Sequence, residues 1–403
     1  MADRISVRRT LRSVGSAGLV RPPSLKTDED RSASKLELFF DLAFVLVVAE
    51  LSTALREDVS AHGVAVFAGL FATVWWAWVS STLYANRFDH DDVVFRLYKL
   101  ASMAAVVGLA ATASEATGER LGLFAGCQVL LRVVLVLQYA RVHRHVEEAR
   151  PLARTYLVAL VVGGLLWAVS IAVPAPVCFV LWGLAIAVEV AAPLRATAAS
   201  AAVPLHMEHL PERFALFVIL VLGESVAAVA HGLYEAHWTA EAVAVGAVSF
   251  VLAAALWWSH FDLAGAGAKR LLAEAGGERS ERAHDVYVFG QLPVALALAG
   301  IGAGIQLAVL ESGQGDVPLI TRVLLAGGVA LYLAAVSLRN TGMATGGSRG
   351  WLWPLLAAAI AALDVLIELP AVVVVGALAA LLVAVVVVGT VQRATGDLEV
   401  DPV

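Results

Sequence analysis

Cysteine is nearly missing from this chain: there are two in 403 residues, Cys127 and Cys178, both inside apolar runs. That excludes a disulfide framework, and no CxxC metal or redox motif is there. Charge is sparse as well, at 15% of residues, against about a quarter in soluble domains. There is no Walker A loop, no Gly-rich dinucleotide fingerprint and no nucleic-acid signature, so neither a cofactor nor a nucleic-acid partner is expected. Residues 1–34 lack the apolar stretch of a cleavable signal peptide; they are polar and Arg-rich, and read as a disordered basic cytoplasmic tail. A short cytoplasmic tail is expected over 394–403.

What the chain has in excess is hydrophobicity. Apolar residues make up 60% of it and the mean hydropathy is +0.81. The apolar residues gather into runs at 36–56, 64–84, 93–114, 121–141, 152–173, 177–198, 212–231, 241–261, 285–310, 318–338, 351–369 and 371–391. Each has about the twenty residues that an α-helix needs to span ~30 Å of hydrocarbon. The expected fold is therefore an all-α integral membrane protein of about twelve transmembrane helices. With the N-terminus inside, 24 of the 28 basic residues fall on the cytoplasmic side, as the positive-inside rule requires. That orientation predicts a multi-pass protein of the bacterial cytoplasmic membrane with both termini cytoplasmic.

The two halves share an order of features. Helix 1 reads Glu37-Leu-Phe-Phe-Asp41 and reaches Glu50; helix 7 reads Glu212-Arg-Phe and reaches Glu224. Trp75-Trp76 in helix 2 corresponds to Trp257-Trp258 in helix 8. Val94-Phe95 and Gly108 recur as Val286-Tyr287 and Gly300 at a constant offset of 192. This pattern predicts two tandem six-helix repeats, 35–200 and 201–393, in the same orientation.

Leu36-Glu37-Leu-Phe-Phe-Asp41-Leu-Ala-Phe-Val, Asn86-Arg87-Phe-Asp89-His-Asp91-Asp92 and Glu212-Arg213-Phe with Leu222-Gly223-Glu224-Ser225 together resemble the bacterial low temperature requirement A (LtrA) family. The likeness runs from helix 1 to about helix 12, with Ala43 and Ala215 standing where Val and Gly would be expected. It implies an integral bacterial membrane protein linked by name to growth in the cold, and no agreed activity. At the level of fold alone, a six-helix repeat opening on Phe-Phe-Asp is also similar to the lysosomal potassium channel family, whose repeats carry Phe-Ser-Asp.

An ionisable group at mid-bilayer costs about 2.5–3.5 kcal/mol on insertion scales, so such groups face protein or water. The candidates for substrate or ion binding are Asp41, Glu50, Glu189, Glu224 with its neighbour Ser225, and Asp364. Arg132 and Arg322 are the buried counter-charges. Carboxylates outnumber cations, which suits a cation or proton path. Asp41 and Glu50 are nine residues apart, half a helical turn, and face opposite sides of helix 1. Glu50 and Glu224 form a pseudo-symmetric pair that either binds a cation or proton or serves as a structural partner for Arg or a hydroxyl. Glu37, Arg87, Asp89, Asp92, Glu212 and Arg213 are candidates for a cytoplasmic gate, although Asp89, Asp91 and Asp92 also suit helix capping, with Arg96 in reach of Asp92. Ser225 lies in no Gly-x-Ser-x-Gly elbow and has no nearby base, which speaks against a serine hydrolase. A metal site would recruit His209, Glu212, His260 and Asp262, but Pro211 is expected to start helix 7 and leave His209 outside it. The tryptophans Trp75, Trp76, Trp78, Trp257 and Trp258 read as an aromatic belt.

The pattern points to a proton- or cation-linked transporter or channel-like protein, with a cavity expected between two six-helix halves. Membrane lipids, a small cation or solute, and a second copy of the chain are the partners it suits. A membrane-embedded enzyme acting on a lipid or isoprenoid, and a sensor or scaffold, are the alternatives. An enzyme would converge two carboxylates in a pocket open to lipid; a scaffold would lock them into Arg pairs.

Overall fold

A computed structural model of the chain describes residues 21–25, 35–89, 92–196, 203, 205, 209–265, 278–343 and 352–394. Both predicted tails therefore lie mostly outside the described residues. Within the described residues there are twelve helical rods. They are α1 (Lys35–Glu57), α2 (Ala61–Arg87), α3 (Val93–Thr112), α4 (Leu121–His145), α5 (Arg150–Ser170) and α6 (Val177–Arg195). There follow α7 (His209–Glu235), α8 (Ala240–Trp258, ending in a π segment Ser259–Gly265), α9 (Glu278–Leu310), α10 (Leu319–Arg322, a π segment Val323–Gly327, then Gly328–Met343), α11 (Leu352–Asp364) and α12 (Ala371–Ala394).

Eleven of these are long and apolar enough to cross a membrane. The exception is α11. An apolar run over 351–369 predicts a full span, but the helix has 13 residues, about 20 Å at 1.5 Å per residue. It stops where Asp364 begins the sequence Asp-Val-Leu-Ile-Glu-Leu-Pro370, in which two carboxylates and a proline follow one another closely. The remainder of the run is non-helical and is tied back to another connection. Val317 donates its N–H to the Leu369 carbonyl at 3.0 Å, and Asp316 bridges Pro370.

The chain divides into two compact units. One comprises Met1–Val47 and Thr73–Leu210; the other comprises Val48–Ala72 and Pro211–Val403. The second half of α1 and the first half of α2 thus belong with the later helices.

In the first unit, α3 packs on α4, α4 on α5 and α5 on α6, in the order that short connections between long helices favour. The core at one end is aromatic. Tyr139 stacks on Tyr156 with centroids 4.9 Å apart, and Tyr84 meets Tyr139 edge-on at 5.0 Å. Residues 21–25 of the N-terminal segment are held here too. Ser24–Leu25 pairs antiparallel with Phe88–Asp89 in a two-residue ribbon. In the second unit, α8 packs on α12, α9 on α10, and α10 on α11. The buried helix α9 carries small residues where others press close, so its neighbours approach its backbone.

Candidate functional site

The most completely enclosed charges lie in the first unit. Arg132 of α4 and Glu189 of α6 face each other with side chains 2% exposed. Arg132 Nε donates to Glu189 Oε1 at 2.9 Å and its Nη2 to Oε2 at 3.1 Å. This two-pronged geometry is the strong form of the Arg–carboxylate contact. Trp76 of α2 donates its indole N–H to Glu189 Oε2 at 3.0 Å. The remaining Arg132 nitrogen, Nη1, donates to Gln128 Oε1, and the guanidinium lies 5.3 Å from the Trp167 ring centroid. Gly163 makes the arrangement sterically feasible: a Cβ there would lie 2.3 Å from Glu189 Oε1. Glu189 is thus neutralised by Arg132, and both of its oxygens are occupied.

Asp41, buried on α1, accepts the Trp78 indole N–H at 2.8 Å. Glu37, one turn earlier, is also buried. Lys99 of α3 is buried beside them, its ammonium 4.1 Å from the Phe40 ring centroid. Nine residues beyond Asp41, Glu50 is exposed, consistent with the half-turn between them.

The Asn86–Asp92 motif joins α2 to α3. Asp92 caps α3 by accepting the Phe95 N–H at 2.9 Å. Its cation is Arg141 of α4, a residue far away in sequence, and not the neighbouring Arg96. Arg21 donates its own N–H to Asp92 at 3.2 Å, and Arg141 also donates to the Arg21 carbonyl. Burial alone would raise the Asp92 pKa; the Arg141 guanidinium and the two backbone N–H groups outweigh it and hold the carboxyl below its ordinary range. Arg87 is buried, donating to the Tyr156 hydroxyl at 3.2 Å and the Val203 carbonyl at 3.3 Å. Asp89 sits in the ribbon strand.

The second unit brings Glu50 and Glu224 together. Each lies fifteen residues beyond the start of its helix, at Lys35 and His209. Glu224 is half-buried, and the charged groups that act on it are His231, Arg56 and Glu50. Among the described residues, neither carboxylate has an ion-pair partner within 4 Å. Arg56 instead reaches Glu235 at 3.7 Å and donates to Thr53 at 2.9 Å. Ser225 is fully buried, its hydroxyl unbonded and pressed toward Gly302 of α9. Arg322 lies near the start of α10, where it donates to the Val365 carbonyl at 3.0 Å and meets Glu368 at 3.6 Å. Asp364 is within its electrostatic reach. Arg322 is thus a counter-charge at a helix end. Arg213 is buried and Glu212 exposed in the first turn of α7.

Two expectations need correction. Trp75, Trp76 and Trp78 are core residues, each at most 3% exposed, and two of them donate to buried carboxylates, so they are not belt residues. Of these five, Trp257 and Trp258 alone stand out from the surface, each 48% exposed. Helix α7 starts at His209, ahead of Pro211, because proline is tolerated in a first turn. Even so, among the described residues no group of three His, Cys, Asp or Glu side chains is arranged to hold a metal. Sequence reasoning missed Gln128, Trp76 and Lys99 as members of buried polar clusters. A polar residue inside an apolar run was the available signal for Gln128 and Lys99.

The chain is 28% identical over 295 residues to an uncharacterized protein of Rhizobium meliloti (strain 1021), covering 70% of this chain and 71% of that one. The family described as bacterial low temperature requirement A protein (LtrA) matches residues 32–387. With residues 32–387 matched, nearly the whole helical region, this chain belongs to the LtrA family.

Proposed function

We propose that this LtrA-family protein is a proton- or cation-linked transporter or channel-like protein of the bacterial cytoplasmic membrane. The observation that carries the reading is the contrast between its intramembrane carboxylates. Glu189 is matched by Arg132, whereas Glu50 and Glu224, at equal depth in α1 and α7, lack an ion-pair partner among the described residues. A carboxylate kept in a membrane span without a fixed counter-charge is suited to exchanging a proton or cation. Asp41 and the Asn86–Asp92 segment are the proposed gate, with Arg87 as a hinge contact to Tyr156. The basic-residue distribution supports an orientation with both termini cytoplasmic. The repeated order of features supports two tandem six-helix repeats, although the Trp pairs of α2 and α8 differ in burial. The Arg132–Glu189 pair on its own would also suit a sensor or scaffold. Flux into liposomes distinguishes these: Glu50→Gln and Glu224→Gln should abolish proton-linked or cation flux, and unchanged flux in both refutes the transport reading.

A further inference from the structure

Arg339, in the last turns of α10, is 3% exposed. Its Nε donates to the neighbouring Asn340 side chain at 3.4 Å, and its Nη1 and Nη2 are buried with no acceptor. Its stem lies against Gly290 of α9, where a Cβ would come within 2.8 Å of it, and its guanidinium is 5.5 Å from the Tyr287 ring centroid. The titratable groups acting on Arg339 are His260 and the tyrosines Tyr287 and Tyr332, the last two neutral at physiological pH. No carboxylate pairs with it among the described residues.

Around it stand other incompletely bonded polar groups. His260 is buried in the π segment Ser259–Gly265, within electrostatic reach of Arg339, and its Nδ1 has no partner. Gln291, next to Gly290 on α9, is buried with Oε1 unbonded. Ser259 and Tyr332 bond each other at 3.2 Å, and the His260 ring is 6.3 Å from that of Tyr332. π segments recur at functional sites because they turn side chains off the regular helical face.

The contrast with Arg132 is direct. Both guanidiniums are buried, and neither can shed its charge. Arg132 has Glu189, Gln128 and Trp167, whereas Arg339 has two free donors at the open end of its fork. A buried charge in that state is strongly unfavourable unless an anion completes it. We propose that Arg339, with His260 and Gln291, forms a binding site for a phosphate-type oxyanion, either free phosphate or an anionic phospholipid headgroup. Two parallel N–H donors match two oxygens of such a group. The depth fits as well. Arg339 lies four residues before the end of α10, and His260 follows the exposed Trp257 and Trp258 at the end of α8, the level at which tryptophans mark the membrane–water boundary. This site is separate from Glu50 and Glu224 and does not depend on the transport reading.

The test uses the full chain purified in an uncharged detergent. Thermal unfolding is followed against inorganic phosphate, with potassium chloride at matched ionic strength, and in mixed micelles of phosphatidylglycerol against phosphatidylcholine. Saturable stabilisation by phosphate assigns a free-anion site; stabilisation by phosphatidylglycerol alone assigns a headgroup site. Arg339→Gln should abolish either effect, and His260→Ala should weaken it several-fold. If Arg339→Gln does not accumulate, Arg339→Lys serves, since it keeps the charge, loses the fork and should bind several-fold more weakly. No stabilisation of the wild type beyond the matched controls overturns the proposal, as does stabilisation that persists unchanged in the Arg339 variants.

Discussion

Replacing Glu189 by Gln should destabilise the first unit far more than its single-atom change suggests. The carboxylate receives two Arg132 donors at 2.9 and 3.1 Å and the Trp76 indole at 3.0 Å, with both charged side chains 2% exposed. Glutamine keeps one acceptor oxygen but leaves the buried guanidinium without its counter-charge. Removing one partner of a buried pair costs about 3–5 kcal/mol, and the retained acceptor places the expectation near 3 kcal/mol on the same scale. The double variant Arg132→Met with Glu189→Leu removes both charges. It should recover to within about 1 kcal/mol of the wild type, because replacing both members of a buried pair by apolar groups is often neutral. Reversible unfolding in mixed micelles, driven by increasing dodecyl sulfate at pH 7, measures both. A loss under about 1 kcal/mol for Glu189→Gln, or a double variant as damaged as the single one, would refute the pairing as the dominant restraint.

Gly163→Ala should mimic that loss from the opposite side, since its Cβ would collide with Glu189 Oε1 at 2.3 Å; a melting temperature equal to that of the wild type would show that α5 and α6 can separate at no cost. The tether of residues 21–25 to Asp92 should depend on pH with a definite sign. A folded-state pKa held below the ordinary value stabilises the folded form above about pH 4, and the benefit disappears as pH falls through the lowered value. Hydrogen exchange in peptides spanning 21–25 should therefore stay slow until pH drops below the normal carboxylate range. Asp92→Asn should make it fast at pH 7, and slow exchange in that variant would break the link between Asp92 and the ribbon.

The helical architecture was legible because lipid demands about twenty apolar residues per crossing, a signal that survives without knowledge of packing. It failed at α11, where hydropathy averaged over the run concealed the sequence from Asp364 to Pro370 that ends the helix. The Asp92 cap was legible because it is local, and its partner Arg141 was not, because that contact joins residues 49 apart. Arg132 and Glu189 were visible as charges in apolar runs, but their pairing spans 57 residues and leaves no periodic trace. The tryptophans of α2 were misread because a Trp in an apolar run has the same local sequence whether it faces lipid or core; burial alone separates Trp78 at 0% from Trp258 at 48%. Arg339 counted only as one more basic residue near the cytoplasmic face, since nothing in its local sequence signals that α9 covers it.

The division of labour among the carboxylates is tested most directly by proton-linked cation flux in liposomes containing wild type, Glu224→Gln, and the double variant Arg132→Met with Glu189→Leu, each at equal reconstituted amounts. The account predicts flux in the wild type and the double variant, and background flux in Glu224→Gln. Wild-type flux in Glu224→Gln, with loss confined to the double variant, would contradict it and move the transport site to the Arg132–Glu189 pair.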